Sequence, residues 1–248
     1  MANVDVLGVG VAPIDEPQLL SAVRDALEER RGSLFAYVNV NAINLAGDLP
    51  WFRELLNDAE CAYCDGEGVR FGAGILGRNI PARIALTYFF WDICAEAERK
   101  GYSMYLLGSH DHILKEAVAR IHERFPRLRI AGTHHGYFEK TGRPSEEVVA
   151  AVNAAAPDLL FVGFGMPLQE EWIRRYRASL KAGAIFPCGS MIDYASGMKS
   201  IAPLWMRKNG MEWVYRLFQE PGRLWKRYLV GNPIFISRII SQRLREGS

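Results

Sequence analysis

Short apolar runs alternate with amphipathic helical segments along the first 197 residues of this chain. The apolar runs predict strands, and they lie at 4–11, 34–40, 60–64, 103–107, 128–132, 159–162 and 184–187. The segments between them place apolar residues at helical spacing, as in 16–30, where Leu19, Val23, Ala26 and Leu27 share one face. Strands that alternate with helices pair in parallel, and helices then cover both faces of the sheet.

This alternation predicts an α/β fold, a Rossmann-like parallel sheet with helices on both faces. The rhythm ends near Gly197, and the helical segments that follow are separated by Gly210, Pro221 and 231–233. A length of 248 residues suits one large domain with a small addition. We therefore expect an α/β body over 1–197 and a C-terminal helical appendage over 198–248.

Charge is distributed unevenly between these two parts. Residues 198–248 contain ten lysines and arginines but three acids, a net charge of +7, which leaves −5 for the rest. Trp205, Trp213 and Trp225 lie in the same segment. Basic residues interleaved with tryptophan suit an anionic membrane surface, and they also suit nucleic acid. A third interpretation is a basic helical face packed on the acidic body.

Two further features bear on location. The chain contains no apolar run long enough to span a membrane, and its N-terminus lacks the basic start and long apolar stretch of a signal peptide. We expect a cytoplasmic protein that is peripheral on the inner face of the cell membrane.

Polar residues and glycines follow the predicted strands. Because ligands bind beyond the carboxyl ends of parallel strands, these residues predict a nucleotide site in which glycine lets the backbone approach phosphate. The residues are Asn39, Asn41, Asp65, Gly66, Glu67, Gly108, Ser109, Thr133, His134, His135, Gly163, Gly165, Gln169, Gly189 and Asp193. Asp65 either acts as a general base or caps the next helix.

Three other motifs have simpler structural explanations. Gly72, Gly74 and Gly77 match a dinucleotide fingerprint, but 65–68 already occupies the turn after the strand, so we expect packing glycines. Cys61 and Cys64 lie three residues apart on a strand, which predicts buried reduced thiols on opposite faces. His110, His112, His134 and His135 could hold zinc, but hydrogen bonds to phosphate or sugar suit their separated positions better.

Several segments in chain order resemble the WecG/TagA/CpsF glycosyltransferases (glycosyltransferase family 26). They comprise Asn39 with the helix after it, 65–69, 132–138, 162–170, 202–206, 212–217, 219–221 and 227–229. The resemblance implies a metal-independent, inverting transfer from a UDP-sugar, without a cofactor. The implied acceptor is a sugar on polyprenyl diphosphate at the cytoplasmic membrane face, in synthesis of cell-surface polysaccharide.

The same resemblance assigns roles to residues. Asp65 corresponds to the catalytic base, with Asn39 and Gln169 as further catalytic residues. Arg207, Arg216, Arg223 and Arg227 correspond to appendage arginines that close over diphosphate. Beyond the family's residues, we predict that substrate is bound by further residues, most of them at strand ends: Tyr37, Asn41, Arg83, Gly108, Ser109, Thr133, His134, His135, Gly163 and Gly165. The body is then the nucleotide-sugar-binding catalytic part, and the appendage docks on the membrane.

The chain departs from the family pattern at three places near the expected sugar site. Tyr37 stands where a threonine is common, 86–88 replaces a Gly-x-Asp, and Ser109 replaces the second glycine of a Leu-Gly-Gly. N-acetylmannosaminyl and glucosyl transfer, the latter as in xanthan-type assembly, both remain open. The competing functions are a non-catalytic nucleotide-binding membrane protein and an NAD-dependent oxidoreductase. No nucleic-acid partner is expected, and an apolar face over 68–93 is either a subunit interface or ordinary core.

Overall fold

A computed structural model of the protein describes residues 2–246, and for Lys208 the backbone alone. The body begins with β1 (Val4–Val6) and β2 (Val9–Val11), followed by α1 (Glu16–Glu29), β3 (Ser33–Val38), α2 (Val40–Asp48), α3 (Pro50–Asn57), β4 (Cys61–Cys64) and α4 (Glu67–Ile75). It continues with α5 (Leu86–Lys100), β5 (Ser103–Gly108), α6 (Asp111–Arg124), β6 (Arg129–His134), α7 (Gly142–Ala155), β7 (Leu159–Gly163), α8 (Leu168–Tyr176), β8 (Ala184–Pro187) and α9 (Met191–Ala195).

Within the described residues, six strands form one parallel sheet in the order β4-β3-β8-β7-β5-β6. Two buried clusters lie on its opposite faces, because side chains alternate along each strand. Leu34 and Ala36 of β3 belong to one cluster, whereas Phe35 belongs to the other. The predicted α/β class, with a parallel sheet covered by helices, is confirmed.

The first predicted strand is wrong in detail. Residues 4–11 form an antiparallel hairpin, not one strand, because Leu7 and Gly8 turn the chain with φ values of 55° and 83°. A two-residue turn with both φ values positive matches the twist of paired strands, and glycine adopts that conformation without a steric penalty.

The buried thiols are confirmed. All four cysteines are free and buried. Cys61 and Cys64 lie in the two different core clusters, as alternation along β4 requires. The segment 68–93 is largely core as well, since it contributes buried residues such as Val69, Leu76, Ile84 and Phe89.

The C-terminal segment divides into two structurally different parts. The strap, residues 198–230, contains α10 (Leu204–Lys208), α11 (Glu212–Gln219) and α12 (Pro221–Trp225) and then one π-helical turn, Lys226–Val230. No residue of α11 is buried, and α12 buries Leu224.

The long last helix, α13 (Gly231–Glu246), belongs to the body. It packs on α2 and α4, with Phe235 and Ile239 in the core. Gln242 accepts a hydrogen bond from the backbone N–H of Leu7 at 2.9 Å. The strap is therefore held at both ends. No helix in the described part of the chain is long and apolar enough to cross a membrane.

Candidate active site

Two cavities meet above the carboxyl ends of the strands. The larger, about 970 Å³, is lined by residues that follow β3, β5, β7 and β8 and by arginines of the strap. The smaller, about 270 Å³, lies between α4, the strap and α13. The residues that line both cavities are Asn39, Asn41, Asp65, Thr87, Arg216 and Arg227. This shared set brings two strand ends of the body together with two cations of the strap.

Asp65 lies at this junction because β4 ends one residue before it. Its backbone N–H donates to the Val38 carbonyl at 2.9 Å, which ties the two strand ends together. Burial raises the pKa of its carboxyl to about 7, although Arg216 and Arg83 oppose that rise. The N-cap of helix α4 is Gly66, and no side chain caps the helix, so Asp65 does not act as its cap. A carboxyl with a pKa near neutrality is suited to accept a proton.

Asn39 and Asn41 face Asp65 from the start of α2. The Asn39 side-chain oxygen caps that helix, accepting from the Ala42 N–H at 3.1 Å. This bond leaves its amide N–H groups for a ligand. The Asn41 amide donates to the sulfur of Met166 at 3.2 Å. Both side chains are thus oriented by the body before any ligand binds.

Gln169 is placed behind the site and not in it, since it is 0% exposed. Its side-chain oxygen accepts from the N–H groups of Gly165 and Gly189 at 3.2 and 2.9 Å. Its amide donates to the Tyr37 hydroxyl at 3.1 Å and to Glu170 at 2.7 Å. Gln169 therefore fixes the loops after β7 and β8 against strand β3.

The glycines at the strand ends allow the close approach of neighbouring backbones. A Cβ on Gly108 would lie 2.5 Å from the Gly163 carbonyl oxygen, and one on Gly163 would lie 2.7 Å from that of Gly189. Ser109 adopts a φ of 53° and donates a 2.7 Å hydrogen bond to Asp193. Ser109, Gly163 and Gly189 line the larger cavity, whereas Gly108 lines neither cavity.

The four predicted strap arginines take different positions. Arg216 and Arg227 lie at the junction, and Arg223 lines the larger cavity beside Glu220. Arg207 lies over the ring of Tyr88, 4.8 Å from its centre, and lines neither cavity. The strap is joined to the body by Arg83, which pairs with Glu212 at 3.0 Å, and by Lys199, which pairs with Asp193 and Glu220 at 3.3 and 2.6 Å.

Thr133, His134 and His135 also lie outside both cavities. The His134 ring bonds to the carbonyl of His135 at 2.8 Å. His110 lines the larger cavity and stacks on Tyr137 with ring centres 3.9 Å apart. Among the described residues, no group of three or more His, Cys, Asp or Glu side chains is arranged to hold a metal ion.

Some lining residues were missed by the sequence reasoning. They include Lys140, Lys199, Glu212, Trp213, Asn232, Phe235 and Ile236. Glu212 carried a usable signal, as a rare acid in a basic segment. Phe235 and Ile236 carried none, because their place in the cavity depends on the packing of α13.

Comparison with known proteins gives consistent relationships. The chain is 29% identical over 203 residues to a protein of Bacillus spizizenii, covering 82% of this chain and 77% of that one. It is 28% identical over 242 residues to a protein of Staphylococcus aureus, covering 96% and 92%. Both relatives are named N-acetylglucosaminyldiphosphoundecaprenol N-acetyl-beta-D-mannosaminyltransferase. The model of the Glycosyl transferase WecG/TagA/CpsF family matches residues 4–248. With a match over nearly its whole length, the chain belongs to the WecG/TagA/CpsF family of glycosyl transferases.

Proposed function

We propose that this protein transfers N-acetylmannosamine from its UDP-sugar to N-acetylglucosamine carried on a polyprenyl diphosphate, with inversion at the anomeric carbon. The observation that carries the proposal is the position of Asp65, at the junction of two cavities. A single displacement needs a base and acceptor on one side of the anomeric carbon and the leaving group on the other. The names of the relatives supply the two sugars.

The two cavities differ in ways that suit the two substrates. The larger contains Gly163, Gly165 and Gly189 at strand ends, which suits the diphosphate of a nucleotide. The smaller contains Trp213, Phe235 and Ile236, and apolar and aromatic side chains suit a sugar face and the start of a lipid chain. We therefore assign the donor to the larger cavity and the acceptor to the smaller.

In the proposed reaction, the Asp65 carboxylate takes the proton of the acceptor hydroxyl. The acceptor oxygen forms a bond to the anomeric carbon while the bond from that carbon to the UDP oxygen breaks. Arg216, Arg223 and Arg227 stabilise the negative charge on departing UDP, which is the role a metal ion would otherwise take. Asp65 then loses its proton to water.

The strap is the proposed membrane contact. It exposes a set of large apolar side chains beside its basic residues, and Phe218 is 80% exposed. The set comprises Met198, Ile201, Leu204, Trp205, Trp213, Phe218, Trp225, Leu229 and Val230. Such a surface binds anionic lipid bilayers through apolar burial and charge together. It would bring the smaller cavity to a lipid-linked acceptor at the cytoplasmic face.

The test is UDP release in the presence of EDTA, with a polyprenyl-diphosphate-linked N-acetylglucosamine and a panel of UDP-sugars that includes UDP-N-acetylmannosamine and UDP-glucose. We expect release with UDP-N-acetylmannosamine by the wild type and a loss of about 10²–10⁴-fold for Asp65→Asn. Release with UDP-glucose alone would correct the donor sugar. Loss of activity with EDTA would contradict metal independence. UDP binding without turnover of any donor would favour the non-catalytic alternative.

A further inference from the structure

Lys140 is a cation of the body that lines the larger cavity. It lies in the loop between β6 and α7. Its ammonium donates to the carbonyl oxygens of Gly136 and Phe138 at 2.7 and 2.6 Å. It also lies 3.9 Å from the centre of the Phe138 ring and 4.5 Å from that of Phe164. Four fixed groups therefore hold the charge in one place.

This charge is not balanced by a carboxylate. In the described part of the chain Lys140 forms no ion pair, whereas Lys199 in the same cavity pairs with two acids. The Lys140 side chain is half-buried, so its charge is partly removed from water, and this burial lowers the pKa of its ammonium. A partly desolvated cation without a counter-charge attracts an anion that enters the same cavity.

Hydrogen-bond capacity leads to the same conclusion. An ammonium group has three N–H donors, and the two carbonyl oxygens account for two of them. The rings of Phe138 and Phe164 lie against the ammonium as well. The third N–H has no hydrogen-bond acceptor among the described residues, so an anion in the cavity that Lys140 lines can accept it.

We propose that Lys140 binds the diphosphate of the nucleotide donor from the side of the body, opposite the arginines of the strap. This inference rests on the proposed function, which places the donor in the larger cavity. The diphosphate is the anionic part of such a donor, and a charge-assisted hydrogen bond to it would balance the ammonium. The body then supplies one cation to the diphosphate site, and the strap arginines supply the others.

The experiment is calorimetric titration of wild type and Lys140→Met with UDP and, separately, with uridine. Methionine keeps the apolar stem between the two rings and removes the charge. We expect UDP binding to weaken about 10- to 100-fold, with uridine binding unchanged. We also expect the UDP affinity of the variant to depend less on salt concentration. Lys115→Met is the matched control, because Lys115 is exposed and lines neither cavity.

Each outcome separates this inference from the proposed function. Equal UDP affinity in wild type and Lys140→Met would overturn the role of Lys140 while leaving the donor site intact. An equal loss for UDP and uridine would also overturn it, because the contact would then be with the nucleoside. A wild type that binds no UDP would instead contradict the proposed donor itself.

Discussion

At the scale of single residues, the environment of Asp65 connects its burial to a measurable pH response. Its folded pKa is about 7, because burial outweighs the nearby arginines. A base works only when it is deprotonated. We therefore expect kcat/KM to rise with pH through a midpoint near 7 and then to level off. A profile for the wild type that is flat between pH 5 and 9 would contradict Asp65 as the base.

The same raised pKa has an effect on stability of known sign. The folded state binds the Asp65 proton more tightly than the unfolded state. The contribution of this group to the free energy of unfolding therefore decreases as pH rises from about 4 to about 7. Asp65→Asn mimics the protonated form. We expect it to melt at a higher temperature than wild type at pH 8, with the difference shrinking toward pH 4. A lower melting temperature at pH 8 would show that the ionised carboxylate is stabilising.

The direction of the hydrogen bonds around Gln169 indicates that the Tyr37 hydroxyl can contact the substrate. The oxygen of Gln169 accepts two backbone N–H groups, so its amide nitrogen must be the atom that faces Tyr37. The tyrosine oxygen accepts that bond. Its own O–H can then donate to an oxygen of the UDP-sugar in the larger cavity. Tyr37→Phe is expected to lower kcat/KM about three- to tenfold, measured with the preferred UDP-sugar.

Tyr63 offers a matched control for Tyr37. It lies at the paired position on the neighbouring strand, and its buried hydroxyl has no hydrogen-bond partner among the described residues. Because Tyr63 lines neither cavity, Tyr63→Phe should leave kcat/KM unchanged. Equal losses in the two variants would attribute the effect to strand packing instead of a ligand contact.

At the scale of elements, the contact between α4 and α13 explains the fingerprint-like glycines. A Cβ on Gly72 would lie 2.5 Å from the ring of Phe235, which is 1% exposed, whereas one on Gly74 would contact nothing within 4 Å. Gly72 is thus a packing glycine, as the sequence predicts. Gly74 lies on the open side of the same helix, so the expectation of a packing glycine is wrong at this position.

These two glycines predict opposite effects of one substitution. We expect Gly72→Ala to lower the unfolding free energy by about 1–3 kcal/mol, because the buried ring must move. Gly74→Ala should raise it by about 0.5–1 kcal/mol, because alanine favours a helix. Urea denaturation measures both. Equal effects would mean that α13 does not pack against α4 as described.

At the scale of the whole molecule, the C-terminal helix α13 packs beside the N-terminal part of the chain, and the strap that precedes it covers the candidate site. Helix α13 packs against α2 and α4. Arg78 joins its end to the first hairpin, because it pairs with Glu246 at 2.8 Å and with Asp5 of β1 at 3.3 Å. The +7 charge of the C-terminal segment therefore serves two structures. One is the exposed strap with its arginines at the cavities, and the other is a helix that belongs to the core.

This division predicts two levels of protection in hydrogen exchange. Amides of α13 should exchange slowly, since Phe235 and Ile239 anchor the helix in the core. Amides of α10 and α11 should exchange faster, because their helices bury little. Adding UDP should slow exchange over 216–227, where the arginines lie. Uniform protection across 198–246 in the free protein would contradict the division.

The sequence by itself determined the parallel sheet, the position of Asp65 at a strand end and the family. These features depend on local alternation and on short segments of neighbouring residues, which are visible along the chain. Only the tertiary structure decided that Gln169 lies behind the site, that Arg207 lies away from it and that Lys140 and Phe235 lie within it. Those positions depend on contacts between residues far apart in sequence, such as Gln169 with Tyr37 and α13 with α4, and no local pattern encodes which distant surfaces pack together.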